Sequence, residues 1–418
     1  MADAGRAIEA VWRVESTRLI AGLARIVRDV GLAEDLAQDA LVAAMESWPR
    51  SGVPDNPGAW LMATARNRAI DLLRRDKTFE RKREELARET GALFAMERSD
   101  FEAAIDETVG DDVLALMFTC CHPVLSREAR VALTLRLIGG LTTPEIARAY
   151  LVVEATIAQR LVRAKRTLRE ADVPFEVPRG EALEERLPSV LEVVYLIFNE
   201  GYAASAGEDW IRHDLCEEAL RLGRMLAELA PEEPEAHGLI ALLELQASRS
   251  RARLGAGGAP VLLMDQDRGR WDPLLIVRGR RALERAEALS RPLGSYGLQA
   301  AIAAVHASAL RAEETDWMRI AALYEALAAI APSPVVELNR AVAVGRAFGP
   351  EAGLALLETI EGERALAGNH LLPSVRADLL ERAGRGAEAA AEFSRAAELT
   401  ENARERELLL GRASRQGA

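Results

Sequence analysis

The stretch from Leu141 to Glu170, LTTPEIARAYLVVEATIAQRLVRAKRTLRE, constrains the fold more than any other part of the chain. Thr142 followed by Glu145 is a capping box, and Pro144 suits a first helical turn. Ile146, Ala147 and Tyr150 form the inner face of that short helix. After a turn, a second helix starts near Glu154. Ile157, Leu161, Ala164 and Leu168 fall on one stripe at helical spacing. Thr156, Gln159, Arg160, Arg163 and Arg166 occupy the other side, with Lys165 at its edge. One face is built for packing and the other for phosphates and base edges, as in a helix-turn-helix whose second helix enters the major groove. From Ser126 to Glu170 there are nine Lys/Arg against four Asp/Glu, a local +5 in a chain whose net charge is −12. The plainer reading is a solvated basic face that binds nothing.

A chain of 418 residues has room for two or three domains. Ala, Leu, Glu and Arg dominate, aromatics are 5%, and no alternating strand pattern appears, so the expected fold class is all-α. No apolar run reaches membrane-spanning length and no basic-then-apolar leader opens the chain, so a cytoplasmic protein without membrane contact is expected. Three cysteines make no disulfide framework. From Glu181 onward 27 Arg and no Lys face 37 acids, which argues against a second DNA-binding module there.

The front of the chain reads as helices. The first covers residues 6–30. The second runs from Leu32 to Trp48, with Leu32, Leu36, Ala40 and Ala43 inward and Asp35, Gln38, Asp39 and Glu46 outward. Pro49 to Gly52 is expected to stop it. Asn56 is an N-cap with Pro57 at the first helical position. Leu61, Ala65, Ala69 and Leu72 are expected inward on the third helix. Thr64, Asn67, Asp71 and Arg74 form its outer stripe. Trp60 to Arg83 carries eight Lys/Arg and three acids, a second basic patch with an aromatic ring at its start. Such a surface suits opened DNA; a solvated helix face is the alternative. Residues 77–110 read as a charged linker.

Three stretches, AEDLAQDALVAAM, NPGAWLMATARNRAIDLLRR and LTTPEIARAYLVVEATIAQRLVRAKRTL, resemble in order and separation the compact, extracytoplasmic-function type of bacterial RNA polymerase sigma factor. FTCCHPVLS, VVYLIFNEGY and LLMDQDRGRWD are similar to the subgroup whose C-terminal extension carries tetratricopeptide-like helices. The resemblance implies sigma domain 2 over 1–76, a linker over 77–110, sigma domain 4 over 111–172 and an extension over 181–418. It implies RNA polymerase core as a partner, through the β′ clamp helices and the β flap, with Asp35, Gln38 and Asp39 gripping the clamp. It further implies promoter DNA: Asn56, Trp60, Thr64, Asn67, Asp71, Arg74 and Arg75 at the −10 element, and a flipped base held by the Val53–Pro57 loop. Thr156, Gln159, Arg160 and Arg163 would read the −35 element while Lys165 and Arg166 hold phosphates. Val153 stands where many relatives place a capping Ser or a Pro, so the recognition helix is expected to start with a weak cap.

The extension repeats a helical-hairpin pattern near 34 residues, clearest in LLPSVRADLLERAGRGAEAAAEFSRAAELTENARERELL. Stacked hairpins make a concave surface for a regulatory protein; the alternative is an all-α domain that only packs. Asp265, Asp267 and Asp272 with Arg268 and Arg270 read as a structural loop, since no phosphate loop precedes them. Cys120, Cys121, His122, His213 and Cys216 lack metal-site spacing, so no metal, cofactor or catalytic residue is expected. The chain reads as a non-enzymatic initiation subunit. A helix-turn-helix regulator with a helical-repeat sensor, acting without polymerase core, is the alternative, and an all-α enzyme using the Asp-rich loop the remoter one.

Overall fold

The computed structural model describes residues 2–75, 112–150, 152–202, 211–255, 260–363, 366, 368, 370–400 and 402–416. The expected linker over 77–110 lies outside the described residues, as do the side chains of Arg74 and Arg75. The described residues are helical, with one isolated bridge, Leu254 to Pro260, and no strand. The chain divides into two compact units, Met1–Val193 and Val194–Ala418.

The first unit begins with α1 (Ala2–Val27), α2 (Val30–Ser51) and α3 (Pro57–Arg75). Asp29 caps α2 by accepting from the Gly31 and Leu32 amides, a local start signal two residues before the expected one. Pro49 does not stop α2. The helix runs on to Ser51 because a proline in the last turn removes a single ladder bond, and the chain leaves only at Gly52, whose φ is 82°. Leu23, Ala24, Leu36, Ala40, Ala44, Leu61, Ala65 and Ala69 fill the seam between the three helices. Trp48 closes its end, edge-to-face with Trp60 at 5.5 Å. Leu72, expected inward, is 45% exposed: Ala69 is the last buried side chain described on α3, so by Leu72 the helix has outrun its packing partners.

A helix over residues 112–120, α4, is buried on every side. It leads to α5 (Arg127–Leu137), capped by Ser126, then α6 (Thr143–Ala149) and α7 (Glu154–Glu170). The α7 stripe Ile157, Leu161, Ala164 and Leu168 is its buried set. Thr142 and Glu145 make the capping box, the Thr142 amide donating to Glu145 at 2.7 Å. Val153 gives α7 no side-chain cap. The first turns of α8 (Glu181–Tyr202) also belong to this unit, where Ser189 donates to the Cys121 carbonyl.

The second unit is a series of helices, each packed on its neighbours in the chain: α9 (His213–Leu229), α10 (Pro234–Ala247), α11 (Pro273–Ala288), α12 (Ser295–Ser308), α13 (Trp317–Ile330), α14 (Pro334–Phe348), α15 (Pro350–Glu358), α16 (Leu371–Arg382), α17 (Gly386–Leu399) and α18 (Ala403–Gln416). Two hairpins share one turn chemistry. Ala230 and Ala331 end their helices with an amide bonded four residues back, and Pro234 and Pro334 open the next ones. α10 and α12 approach so closely that a Cβ on Gly238 would lie 2.7 Å from the Gly297 amide nitrogen. Gly294 has no side chain to cap α12, so Glu235 reaches over from α10 and accepts from the Tyr296 and Gly297 amides at 3.0 Å.

Gly238→Ala is therefore expected to cost about 1–3 kcal/mol, because a methyl group there must push backbone apart. Gly411→Ala, where nothing lies within 4 Å, should be neutral or slightly stabilising. Urea unfolding followed through the amide exchange of residues 234–247 measures both; an unchanged midpoint for Gly238→Ala would contradict the close crossing.

Candidate nucleic-acid interface

On α7, the residues between the buried stripe positions face outward. Gln159, Val162, Arg163 and Arg166 are exposed, and Thr156 and Arg160 are half-buried. Thr156, Gln159, Arg160 and Arg163 line one side of an open groove of about 410 Å³, with Val124, Ser126 and Glu128 opposite. The four expected base readers thus share one edge. Val162, 63% exposed, stands among them and was not singled out from sequence. An apolar side chain surrounded by Gln and Arg on an exposed face is the signal that would have found it, and it suits a thymine methyl group. Arg166 pairs with Glu170 at 2.8 Å across one helical turn, an exposed pair of little energetic weight.

Lys165 is elsewhere. Its Nζ lies 2.8 Å from Glu34 on α2, and Arg136 of α5 reaches the same carboxylate through Nε at 2.7 Å. Beside them Arg169 meets Asp29 at 2.5 Å. Arg25 and Asp112 form a further pair at 3.2 Å, and Thr17 donates to the Ile138 carbonyl at 2.8 Å. These ion pairs and this hydrogen bond link the helices of 2–75 to those of 112–170. Burial pushes the Glu34 carboxyl upward, but Lys165 and then Arg136, by charge and hydrogen bond, outweigh it and hold the group below its ordinary value. Asp29 and Glu34 carried no sequence signal for this, since their partners lie more than a hundred residues away.

The outer side of α2 is an amphipathic strip. Asp35, Asp39, Val42, Met45 and Glu46 are exposed, with Val42 at 51% and Met45 at 58%. Gln38 is half-buried and donates to Glu34 at 2.9 Å, which ties the strip to the ion-pair junction. Asp39 lies 3.6 Å from Arg68 of α3. Val42 and Met45, at helical spacing from Asp35 and Asp39, extend the strip beyond the residues expected from sequence. On α3, Asn56 caps the helix by accepting from the Ala59 amide at 3.0 Å, and Thr64 donates to the Trp60 carbonyl. Trp60 is half-buried against Trp48, while Asn67 and Asp71 are exposed.

Among the described residues no group of three His, Cys, Asp or Glu is placed to hold a metal ion, and no helix is long and apolar enough to cross a membrane. Cys120 and Cys121 are buried. Burial pushes the Cys121 thiol up to about 12, which opposes the thiolate a metal would need. In the second unit Asp267 and Asp272 cap backbone amides, and Arg268 spans the His306 and Ala309 carbonyls and the Thr315 hydroxyl. These side chains hold the loop in place.

Sigma-70 region 2 matches residues 14–79 and sigma-70 region 4 matches residues 115–168. A family of unknown function matches residues 186–287. An uncharacterized protein of Rhizobium meliloti is 46% identical over 387 residues, covering 92% of this chain and 89% of its own. The ECF RNA polymerase sigma factor SigK of Mycobacterium ulcerans is 27% identical over 157 residues, 37% of this chain and 79% of its own. No solved structure matches the chain.

Glu34 yields a pH test. Its folded value lies below the ordinary 4.5, so its contribution is complete above that pH and is lost as pH falls through the folded value. The urea midpoint of the wild type should exceed that of Glu34→Gln at pH 7, and the gap should close on acidification below 4.5. A gap that does not narrow at all as the pH is lowered below 4.5 would show that the ionised carboxylate is not what the two cations hold.

Proposed function

We propose that the chain, a sigma factor by its sigma-70 regions 2 and 4, is of the extracytoplasmic-function type, binds RNA polymerase core through α2 and directs it to promoters read by α3 and α7. The observation that carries this reading is the exposed strip of α2, Asp35, Asp39, Val42 and Met45 with Gln38, in a chain that also presents a basic reading helix. A regulator that acts without polymerase has no use for such a strip. Its carboxylates suit a basic partner helix, and its two apolar side chains supply area to bury. Region 4 would in the same way use the β flap as its seat on the enzyme.

At the promoter, Thr156, Gln159, Arg160 and Arg163 are assigned to base edges, Val162 to a methyl group, and Lys165 and Arg166 to the adjoining phosphates. Asn56, Trp60, Thr64, Asn67, Asp71, Arg74 and Arg75 are assigned to the −10 element, with the 53–57 loop receiving an extruded base. Trp60, edge-on to Trp48, keeps a ring near that loop at little cost in order. The extension is assigned to the tetratricopeptide-like subgroup, as a docking surface for a regulatory protein. The assembly would act in the cytoplasm, where core polymerase and chromosome meet. In vitro transcription with core polymerase on the chain's own upstream DNA tests the whole reading; no promoter-dependent transcript would refute it.

Asp35→Arg with Asp39→Arg is expected to abolish capture of core polymerase while leaving helicity unchanged, because both side chains are exposed. Undiminished capture in a pull-down would remove the α2 assignment. Arg160→Ala should cost about 1–3 kcal/mol and relax selectivity within the −35 element. Arg166→Ala should weaken all duplexes alike and lower the salt slope by about one. Equal weakening of every sequence by both changes would remove Arg160 from the base readers.

A further inference from the structure

We propose that the second unit binds free hydrogen phosphate between Arg249 and Arg268, against the indole of Trp271. The site forms where the motif LLMDQDRGRWD meets the ends of α10 and α12. The Asp272 amide donates to the Ser248 carbonyl at 2.8 Å, which pins the end of the motif beside Arg249. Asp267 accepts from the Gly269 amide at 2.9 Å and sets the turn that carries Arg268. Two guanidinium groups thus come to one ring. Cζ of Arg268 lies 5.0 Å from the Trp271 centroid, and Cζ of Arg249 lies 5.8 Å from it. Arg249 is also 5.8 Å from the ring of Tyr202. Aromatic faces hold a cation without cancelling its charge.

Neither cation meets a carboxylate among the described residues. Arg249 donates to the neutral Gln246 side chain, and Arg268 to the His306 and Ala309 carbonyls and the Thr315 hydroxyl. Asp267 and Asp272 are turned to backbone amides instead. His306 registers the field: burial first, then Arg249 and Arg268, push its ring down to about 3. Nearby polar atoms are also buried without a hydrogen-bond partner: Nε1 of Trp271, Nδ1 of His306 and Oε1 of Gln266. Their residues are 5%, 8% and 8% exposed. Capping of a helix end accounts for the terminal nitrogens of Arg268 but not for these atoms, and folded proteins leave few such groups unpaired.

The chemistry of the cluster selects the ligand. Two cations in a partly dry setting call for a dianion. The indole N–H donates to an oxyanion, as does a neutral imidazole N–H, whereas the Gln266 oxygen accepts. Hydrogen phosphate brings a double charge, several acceptor oxygens and a single O–H. Sulfate has the charge and lacks the O–H. A phosphate ester near neutral pH loses either the O–H or a charge, so the free ion is the fitting one. Arg249 and Arg268 are half-buried, which leaves the cluster an approach from solvent. In a chain proposed to act in transcription, the extension would then respond to phosphate. That consequence rests on the sigma reading, and the binding does not.

The test is calorimetric titration of the full chain with inorganic phosphate near neutral pH at constant ionic strength. Saturable binding is expected. Sulfate and glycerol phosphate should bind about tenfold or more weakly, because each leaves a buried group unpaired. Arg249→Gln should lower phosphate affinity about tenfold or more, the loss of a charged hydrogen bond. Trp271→Phe keeps a ring, removes the N–H and should weaken binding about fivefold. Circular dichroism checks the fold of both variants, and Trp271→Phe carries the test if Arg249→Gln loses helicity. No saturable heat with phosphate, or wild-type affinity in the folded variants, overturns the site. Sulfate or glycerol phosphate binding as tightly as phosphate overturns the assignment to the free hydrogen phosphate ion.

Discussion

A single carboxylate, that of Glu34, sits at the centre of the first unit. It is buried, and it is satisfied only because Arg136 and Lys165, from two different helices, converge on it. A buried ion pair of this kind adds little net stability against an apolar replacement, but losing one partner strands the other charges out of water. Its effect is therefore to fix a relation between elements. Apolar seams hold α1, α2 and α3 together, and others hold α5 and α7. Between these two groups run the ion pairs of Glu34, Asp29 and Arg25, beside the buried apolar side chains of 113–118.

The second unit is held by different means. Helix follows helix, and the closest crossings rest on missing side chains: Gly238 against Gly297, and Gly345 against Gly353. The polar side chains of the irregular segment are used to close helix ends and turns. Arg268 places its fork on the carbonyls at the end of α12, and Asp272 caps α11. His306 lies close by, its ring pushed down to about 3 by burial and then by Arg249 and Arg268, so it stays neutral. Aspartates and arginines that look like chemistry in the sequence are engaged in satisfying backbone groups, as a buried loop requires.

What could be read from sequence follows the range of the interaction. The α7 stripe of Ile157, Leu161, Ala164 and Leu168 is a local periodicity, and so is the capping box of Thr142 and Glu145; both appear in the structure as expected. Local patterns also mislead where geometry outside the window decides. Leu72 keeps the helical spacing of Ala65 and Ala69, yet it is 45% exposed where they are buried. Of the stretch Pro49 to Gly52 expected to stop α2, only Gly52 does so, since a proline in the last turn removes a single ladder bond. Glu34 was out of reach altogether. Nothing near it in sequence distinguishes it from Asp35, yet one is buried between cations and the other is in solvent. Lys165 was given a phosphate from its place on the reading helix, and only the fold reveals a carboxylate already there.

The cations of α7 are divided by this arrangement into two sets with different surroundings. Arg160 and Arg163 line the groove edge with Gln159 and are open to solvent there. Lys165 and Arg169 lie on the other edge, engaged by Glu34 and Asp29 of α2. A carboxylate suits such a contact because it offers an ammonium or guanidinium group a full charge and two acceptor oxygens at a fixed position. Both ends of each pair belong to the first unit, so the division of the cations is set within that unit.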